Sequence, residues 1–226
     1  MNTTRESALM TPRARRIVFV CAALLGLAFL ALGERAEDQG EGAPWFAMDL
    51  ATKSVIQSTR RPALEHPIRL LSDLGTARGL VPLGFATVVA LWWRHRRLAL
   101  FVPSVMLGAG IVEALSKWGV NRPRPRLTGY GFPSGHVLAA VTFYGALVYV
   151  CWVLTRRPAW RWIATGACVL VILGVGYTRI YLNAHWLTDV LGALLGGTAY
   201  LLLALAWIDA RWRPRHRAAV PAPARR

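Results

Sequence analysis

GFPSGHVLAAVTFYGALVYVCWVLT, residues 131–155, decides the fold. A Pro-Ser-Gly-His turn opens here onto 137–155, a run without a single charge. A hydrocarbon core about 30 Å thick is crossed by about 20 helical residues, so the run has the length and chemistry of a membrane span. Lipid offers no partner to an unpaired peptide group, so the run is read as helix. Working outward, further apolar runs, charge-free or nearly so, fall at 17–33, 79–93, 98–112, 162–178 and 190–208. Two of them reach spanning length when extended to 74–93 and 98–117. Composition agrees: 55% of the 226 residues are hydrophobic, against roughly 45–50% in soluble domains, and the mean hydropathy is +0.38. The expected fold is an all-α integral membrane protein, a six-transmembrane-helix bundle over 17–208.

A net charge of +16 would suit nucleic acid if the cations formed one surface. They do not. Arg5, Arg13, Arg15 and Arg16 precede the first span, and Arg94, Arg96 and Arg97 join the second to the third. Arg156, Arg157 and Arg161 join the fourth to the fifth, and six more arginines follow Asp209. All sixteen fall on one side, so the positive-inside rule makes 1–16 and the basic tail 209–226 cytoplasmic. The charge is thus topology, and no nucleic-acid partner is expected. Residues 34–78 hold six basic and seven acidic side chains, so the loop 34–76 lies outside. Within it WFAMDLATKSVIQ, 45–57, repeats apolar residues near helical spacing and reads as a short amphipathic outer helix, bordering a lipid entry or acting as a lid. The first run also has the form of a signal peptide, but five spans follow it and a retained helix is expected. Cys21, Cys151 and Cys168 lie in apolar runs without CxxC spacing, which reads as packed thiols.

Two outward connections concentrate polar chemistry: KWGVNRPRPRLTGYGFPSGH, 117–136, and TRIYLNAHWLTD, 178–189. Lys117, Arg122, Arg124, Arg126 and Arg179 stand on the translocated side, against the orientation bias. Singly each reads as a snorkelling residue. Arginine also presents a fork that matches phosphate oxygens, and Pro123 and Pro125 stiffen the chain that carries Arg122 and Arg124. Ser134 and Gly135 read as a turn and N-cap whose free N–H groups suit an anion. His136 alone reads as an interfacial histidine. His185 and Asp189 are spaced i, i+4, so one helix face lets the carboxylate accept Nδ1–H and leave Nε2 a free lone pair. An ordinary helix-start hydrogen bond is the plainer reading of that pair. Taken together, two histidines, an orienting acid and five cations describe a nucleophile and an acid flanking a phosphate. A metal centre needs more acidic ligands than Asp189 and Glu113, and Glu113 reads as an i, i+4 partner of Lys117. No metal or other cofactor is expected. Gly192 and Gly196 form a GxxxG read as close packing inside the bundle.

Lys117 with six residues to Arg124-Pro125, then PSGH at 133–136, then Arg179 with five residues to His185 and three to Asp189, resembles in spacing and order the signatures of the type-2 phosphatidic acid phosphatase superfamily. Thr178 stands where that family usually has serine. The resemblance implies that His185 attacks phosphorus, Asp189 orients it and His136 protonates the leaving oxygen. It also implies that Lys117, Arg124 and Arg179 hold the phosphoryl group with Ser134 and the backbone N–H groups beside it. Soluble haloperoxidases share the signatures but not six apolar spans. The expected protein is a multi-pass lipid-phosphate phosphatase of a bacterial inner membrane, its site facing outward and its partner a membrane lipid. The surplus of cations, Arg122 and Arg126 among them, favours a diphosphate, undecaprenyl diphosphate cleaved to undecaprenyl phosphate. Phosphatidate, phosphatidylglycerophosphate and the lipid A 1-phosphate are the alternatives, as is a lipid phosphotransferase. A phospholipid-binding or transport protein is the non-enzymatic reading, and the intact His136, His185 and Asp189 argue against it.

Overall fold

The computed structural model describes residues 10–37, 44–126 and 129–211, so the expectations for 1–9 and 212–226 lie outside the described residues. Eight helices follow in chain order: α1 (Pro12–Glu37), α2 (Pro44–Ser58), α3 (Pro62–Asp73), α4 (Ala77–Trp92), α5 (Arg96–Gly119), α6 (Gly135–Leu154), α7 (Pro158–Tyr181) and α8 (Leu187–Arg211). Five of them, α1 and α5 to α8, are long and apolar enough to cross a membrane. The protein is therefore a multi-pass membrane protein.

The second span departs from expectation. Instead of one helix over 74–93, α3 and α4 meet at a 43° bend and pass the length-and-composition test only as a pair. Alone, the 16 residues of α4 rise about 24 Å, short of the hydrocarbon core. The break is built by backbone bonds: the N–H groups of Leu74, Gly75 and Thr76 return to Leu71, Ser72 and Asp73 carbonyls at 3.3, 3.0 and 3.0 Å. Gly75 is needed there, since a Cβ would lie 2.7 Å from Val175 Cγ1 and 2.8 Å from the His136 carbonyl. The chain breaks where it touches the start of α6.

Helix α6 is the centre of the bundle and packs against α5, α7 and α8. More of its span is enclosed by protein, 56%, than of α1, with 22%. Its apolar residues run all round the helix, as burial on every side requires: Val137, Leu138, Ala140, Val141, Phe143 and Ala146 are all core. Helix α1 lies at the edge, packed along α8. It turns Ile17, Val20, Leu24 and Leu27 outward. Cys21 is exposed on this helix, so it is not the packed thiol expected from its apolar setting. The GxxxG glycines do pack inside the bundle: Gly192 faces Phe132 and Gly196 faces Phe29 of α1. A helix does form over the outer segment. This α2 docks on α7 and α8, where Gln57 Nε2 donates to the carbonyls of Ile180 and Tyr181 at 2.8 and 3.0 Å. It thereby gives the Tyr181 carbonyl at the end of α7 a donor and adds a second to Ile180, which also accepts the Asn183 N–H at 2.9 Å.

Candidate active site

The turn between α7 and α8 aims the first histidine. Asn183 adopts φ 55°, a left-handed position that asparagine tolerates better than most residues. The N–H groups of Ala184 and His185 then return to the Arg179 carbonyl at 2.9 and 3.3 Å. Within the first turn of α8, Asp189 Oδ2 lies 3.2 Å from His185 Nδ1 and accepts the Trp186 N–H at 3.0 Å. The expected i, i+4 pairing is present, and it points Nε2 away from Asp189. The Asp189 carbonyl accepts the Ser134 N–H at 3.1 Å, which ties the start of α6 to that of α8.

A cavity of about 250 Å³ opens beside His185. Lys117 and Glu113 of α5, Arg124 of the 120–134 loop, and Gly135 and His136 of α6 line it together with His185. The wall opposite is the α3–α4 break, Gly75, Thr76 and Ala77. Lys117 and Glu113 form the ion pair expected from their spacing. Arg124 donates through Nε to the Tyr130 carbonyl at 3.0 Å, which fixes the plane of its fork. Arg179 and Ser134 are buried behind the lining. Arg179 Nη1 donates to Ser72 Oγ at 2.7 Å, while Arg179 Nε and Ser134 Oγ have no hydrogen-bond partner among the described residues. Buried polar atoms are nearly always hydrogen-bonded, so these two are candidates to meet a ligand's oxygens.

Burial pushes the pKa of His185 below its ordinary value. Asp189 acts in the opposite sense, and the positive charges of Arg179 and Arg124 add to the lowering. The imidazole is neutral at neutral pH. A neutral ring held at Nδ1 offers the lone pair a nucleophile needs.

Arg122 stands apart from the cavity lining. It was expected to bind phosphate, but it does not line the cavity and its guanidinium is buried against Asp189, Asp49 and Thr188. Asp49, Ser72, Thr188 and the residues of the α3–α4 break were not foreseen. Only Asp49 left a trace in the sequence, as the one acid within WFAMDLATKSVIQ.

Residues 97–213, just over half the chain, match the PAP2 superfamily. The undecaprenyl-diphosphatase of Sulfolobus acidocaldarius is 38% identical over 73 residues, which is 32% of this chain and about a third (31%) of that protein. Phosphatidylglycerophosphatase B of Bacillus subtilis is 26% identical over 156 residues, 64% of this chain and 75% of the relative. In fold, the chain is similar to the crystal structure of a transmembrane PAP2-type phosphatidylglycerolphosphate phosphatase from Bacillus subtilis, with a TM-score of 0.77 at 24% identity over 87% of this chain and 98% of the other. With the matched region spanning Lys117, Arg124, His136, Arg179, His185 and Asp189, the chain belongs to the PAP2 superfamily, as a membrane-embedded lipid phosphatase.

Proposed function

We propose that the enzyme removes a terminal phosphate from a lipid headgroup through a phosphohistidine on His185, without a metal. The observation that carries this is the Asp189 carboxylate 3.2 Å from His185 Nδ1, beside a cavity shared with His136, Lys117 and Arg124. In the first step His185 Nε2 attacks phosphorus, the bond to the lipid oxygen breaks, and His136 gives that oxygen its proton. In the second, water attacks the phosphohistidine while His136 takes a proton back, and phosphate leaves. Lys117, Arg124 and Arg179 hold the non-bridging oxygens with Ser134 Oγ and the Gly135 N–H. Such fixed donors act most strongly where charge develops away from water.

The site faces outward, with both termini cytoplasmic, on the strength of the arginine distribution. It then reaches lipids of the outer leaflet of a bacterial inner membrane. Burying lipid chains contributes little to the choice among substrates, since the bilayer already shelters each CH₂, about 0.8 kcal/mol apiece. The head decides. Placing Arg122 among carboxylates shrinks the cation surplus, yet Lys117, Arg124 and Arg179 suffice for one phosphoryl group and exposed Arg126 remains for a second. Undecaprenyl diphosphate, cleaved to the monophosphate, is therefore the favoured substrate, and the name of the Sulfolobus relative supports it. Phosphatidylglycerophosphate is the second reading, favoured by the Bacillus relative's name. In one detergent, kcat/KM for undecaprenyl diphosphate should exceed that for phosphatidylglycerophosphate and phosphatidate, with free phosphate as product and no effect of chelators. A tenfold preference for a monoester, about 1.4 kcal/mol of transition-state binding, refutes the diphosphate assignment. Transfer of the phosphoryl group to an added lipid alcohol in place of water identifies a phosphotransferase.

A further inference from the structure

Arg122 lies between two carboxylates. Its Nη1 donates to Asp189 Oδ1 at 2.8 Å and to Thr188 Oγ1, and its Nη2 donates to Asp49 Oδ2. Asp49 also accepts the Thr188 N–H at 2.8 Å and the Thr188 hydroxyl at 2.6 Å. All four residues are closed to solvent, with at most 1% of their surface exposed. Asp49 is the one member supplied by the outer helix α2, and it belongs to none of the three motifs that surround the cavity. The other oxygen of Asp189 is the one at His185 Nδ1.

One guanidinium thus serves two acids, and the charges leave a net negative cluster behind the nucleophile. A charge-assisted bond draws electron density from its acceptor, and in a water-free site the draw is strong. Were Asp189 the sole partner of Arg122, its carboxylate would be largely neutralised. It would then be a poorer acceptor for His185 and a poorer counter-charge for the positive ring that forms as nitrogen bonds to phosphorus. We propose that Asp49 is a positioning residue of the reaction: by taking one edge of Arg122 it leaves Asp189 the charge with which to hold and polarise His185. The proposal rests on the phosphohistidine reading of His185. It also makes α2 part of the working site rather than a cover over it.

His185 is faced by Asp189 of α8, Arg179 of α7, Arg124 of the loop and His136 of α6, with Lys117 and Glu113 of α5 across the cavity. Asp49→Asn leaves every one of these in place and can still accept the Thr188 N–H, so a change in the titration of His185 reports the lost charge. The test uses the full-length protein in detergent and whichever of undecaprenyl diphosphate and phosphatidylglycerophosphate the wild type hydrolyses faster. Asp49→Asn should lower kcat about tenfold with KM within about twofold, and should move the acid limb of kcat/KM to lower pH. Asp49→Glu should recover part of both. In an Asp189→Asn background the same change should cost less than about twofold, because residues acting through one another are not additive. A contact that serves only the fold lowers the thermal midpoint and leaves the acid limb where it was. Folded Asp49→Asn protein with wild-type kcat and an unmoved limb overturns the proposal, as do additive losses. If Asp49→Asn does not fold, Asp49→Ser, which keeps an oxygen for the Thr188 N–H, is read against the same outcomes. His185→Ala separates the two claims. Activity surviving that change refutes the phosphohistidine, whereas a dead His185→Ala beside an unaffected Asp49→Asn refutes only the positioning role.

Discussion

Two histidines share one cavity, and their surroundings differ, because the Asp189 carboxylate lies 3.2 Å from the Nδ1 of His185. Burial sets the protonation state of that ring, holding its pKa below the ordinary value of about 6.5. A lowered pKa means that the lone pair is available at neutral pH and is lost only as pH falls through the lowered value. The acid limb of kcat/KM, which reports the free enzyme, should therefore lie below about pH 6.5. Asp189→Asn removes the main influence raising that pKa, so it should shift the limb further down while reducing kcat. An acid limb well above 6.5, unmoved by Asp189→Asn, would contradict the assignment of His185. The arrangement of this site was largely legible from residue type and spacing: Lys117, Arg124, His136 and His185 line one cavity, and Asp189 pairs with His185. Arg122 was not, because nothing local distinguishes it from Arg124, each being followed by proline. Its carboxylate partners lie 73 and 67 positions away in the chain. Partners that distant are chosen by the fold, not by the motif.

Among the helices, run length and charge placement sufficed to find the five long crossings, and the all-round apolar character of α6 fits the central place it takes. The break between α3 and α4 stayed hidden for two reasons. Glu65, Pro67 and Arg69 interrupt the apolar pattern of α3, and the break is fixed by the approach of Gly75 to His136, a contact between distant segments. Close approach also governs α8, where it can be tested. A Cβ on Gly192 would lie 2.2 Å from Phe132 Cε2, and Phe132 is fully buried and stacked at 5.3 Å on Phe29 of α1. Gly→Ala inside a helix gains about 1 kcal/mol from propensity, whereas overpacking a rigid core costs about 1–3 kcal/mol. The clash should win. Gly192→Ala should lower the thermal midpoint, and should lower kcat as well, since Phe132 stands two residues before Ser134. Gly166→Ala, whose added carbon meets nothing within 4 Å, is the control and should cost neither. Equal stability of the two variants would show that the α1–α8 seam is softer than its geometry implies.

For the molecule as a whole, the proposed direction across the membrane rests on the arginine distribution in the sequence and can be tested. Tyr130 and Ala159 are exposed at opposite ends of the bundle and can report it. In a background without Cys21, Cys151 and Cys168, an impermeant thiol reagent added to intact cells should label Tyr130→Cys and spare Ala159→Cys. The reverse pattern would turn the enzyme around and give it the lipids of the inner leaflet. The proposed mechanism makes one central chemical statement, that phosphate passes through His185, and trapping tests it most directly. Enzyme mixed with substrate labelled in its terminal phosphate is quenched in base, which spares acid-labile phosphohistidine, and the labelled peptide is sequenced. The account predicts label on His185 that disappears in His185→Ala together with turnover. Label on a different residue, or wild-type turnover by His185→Ala, would contradict it.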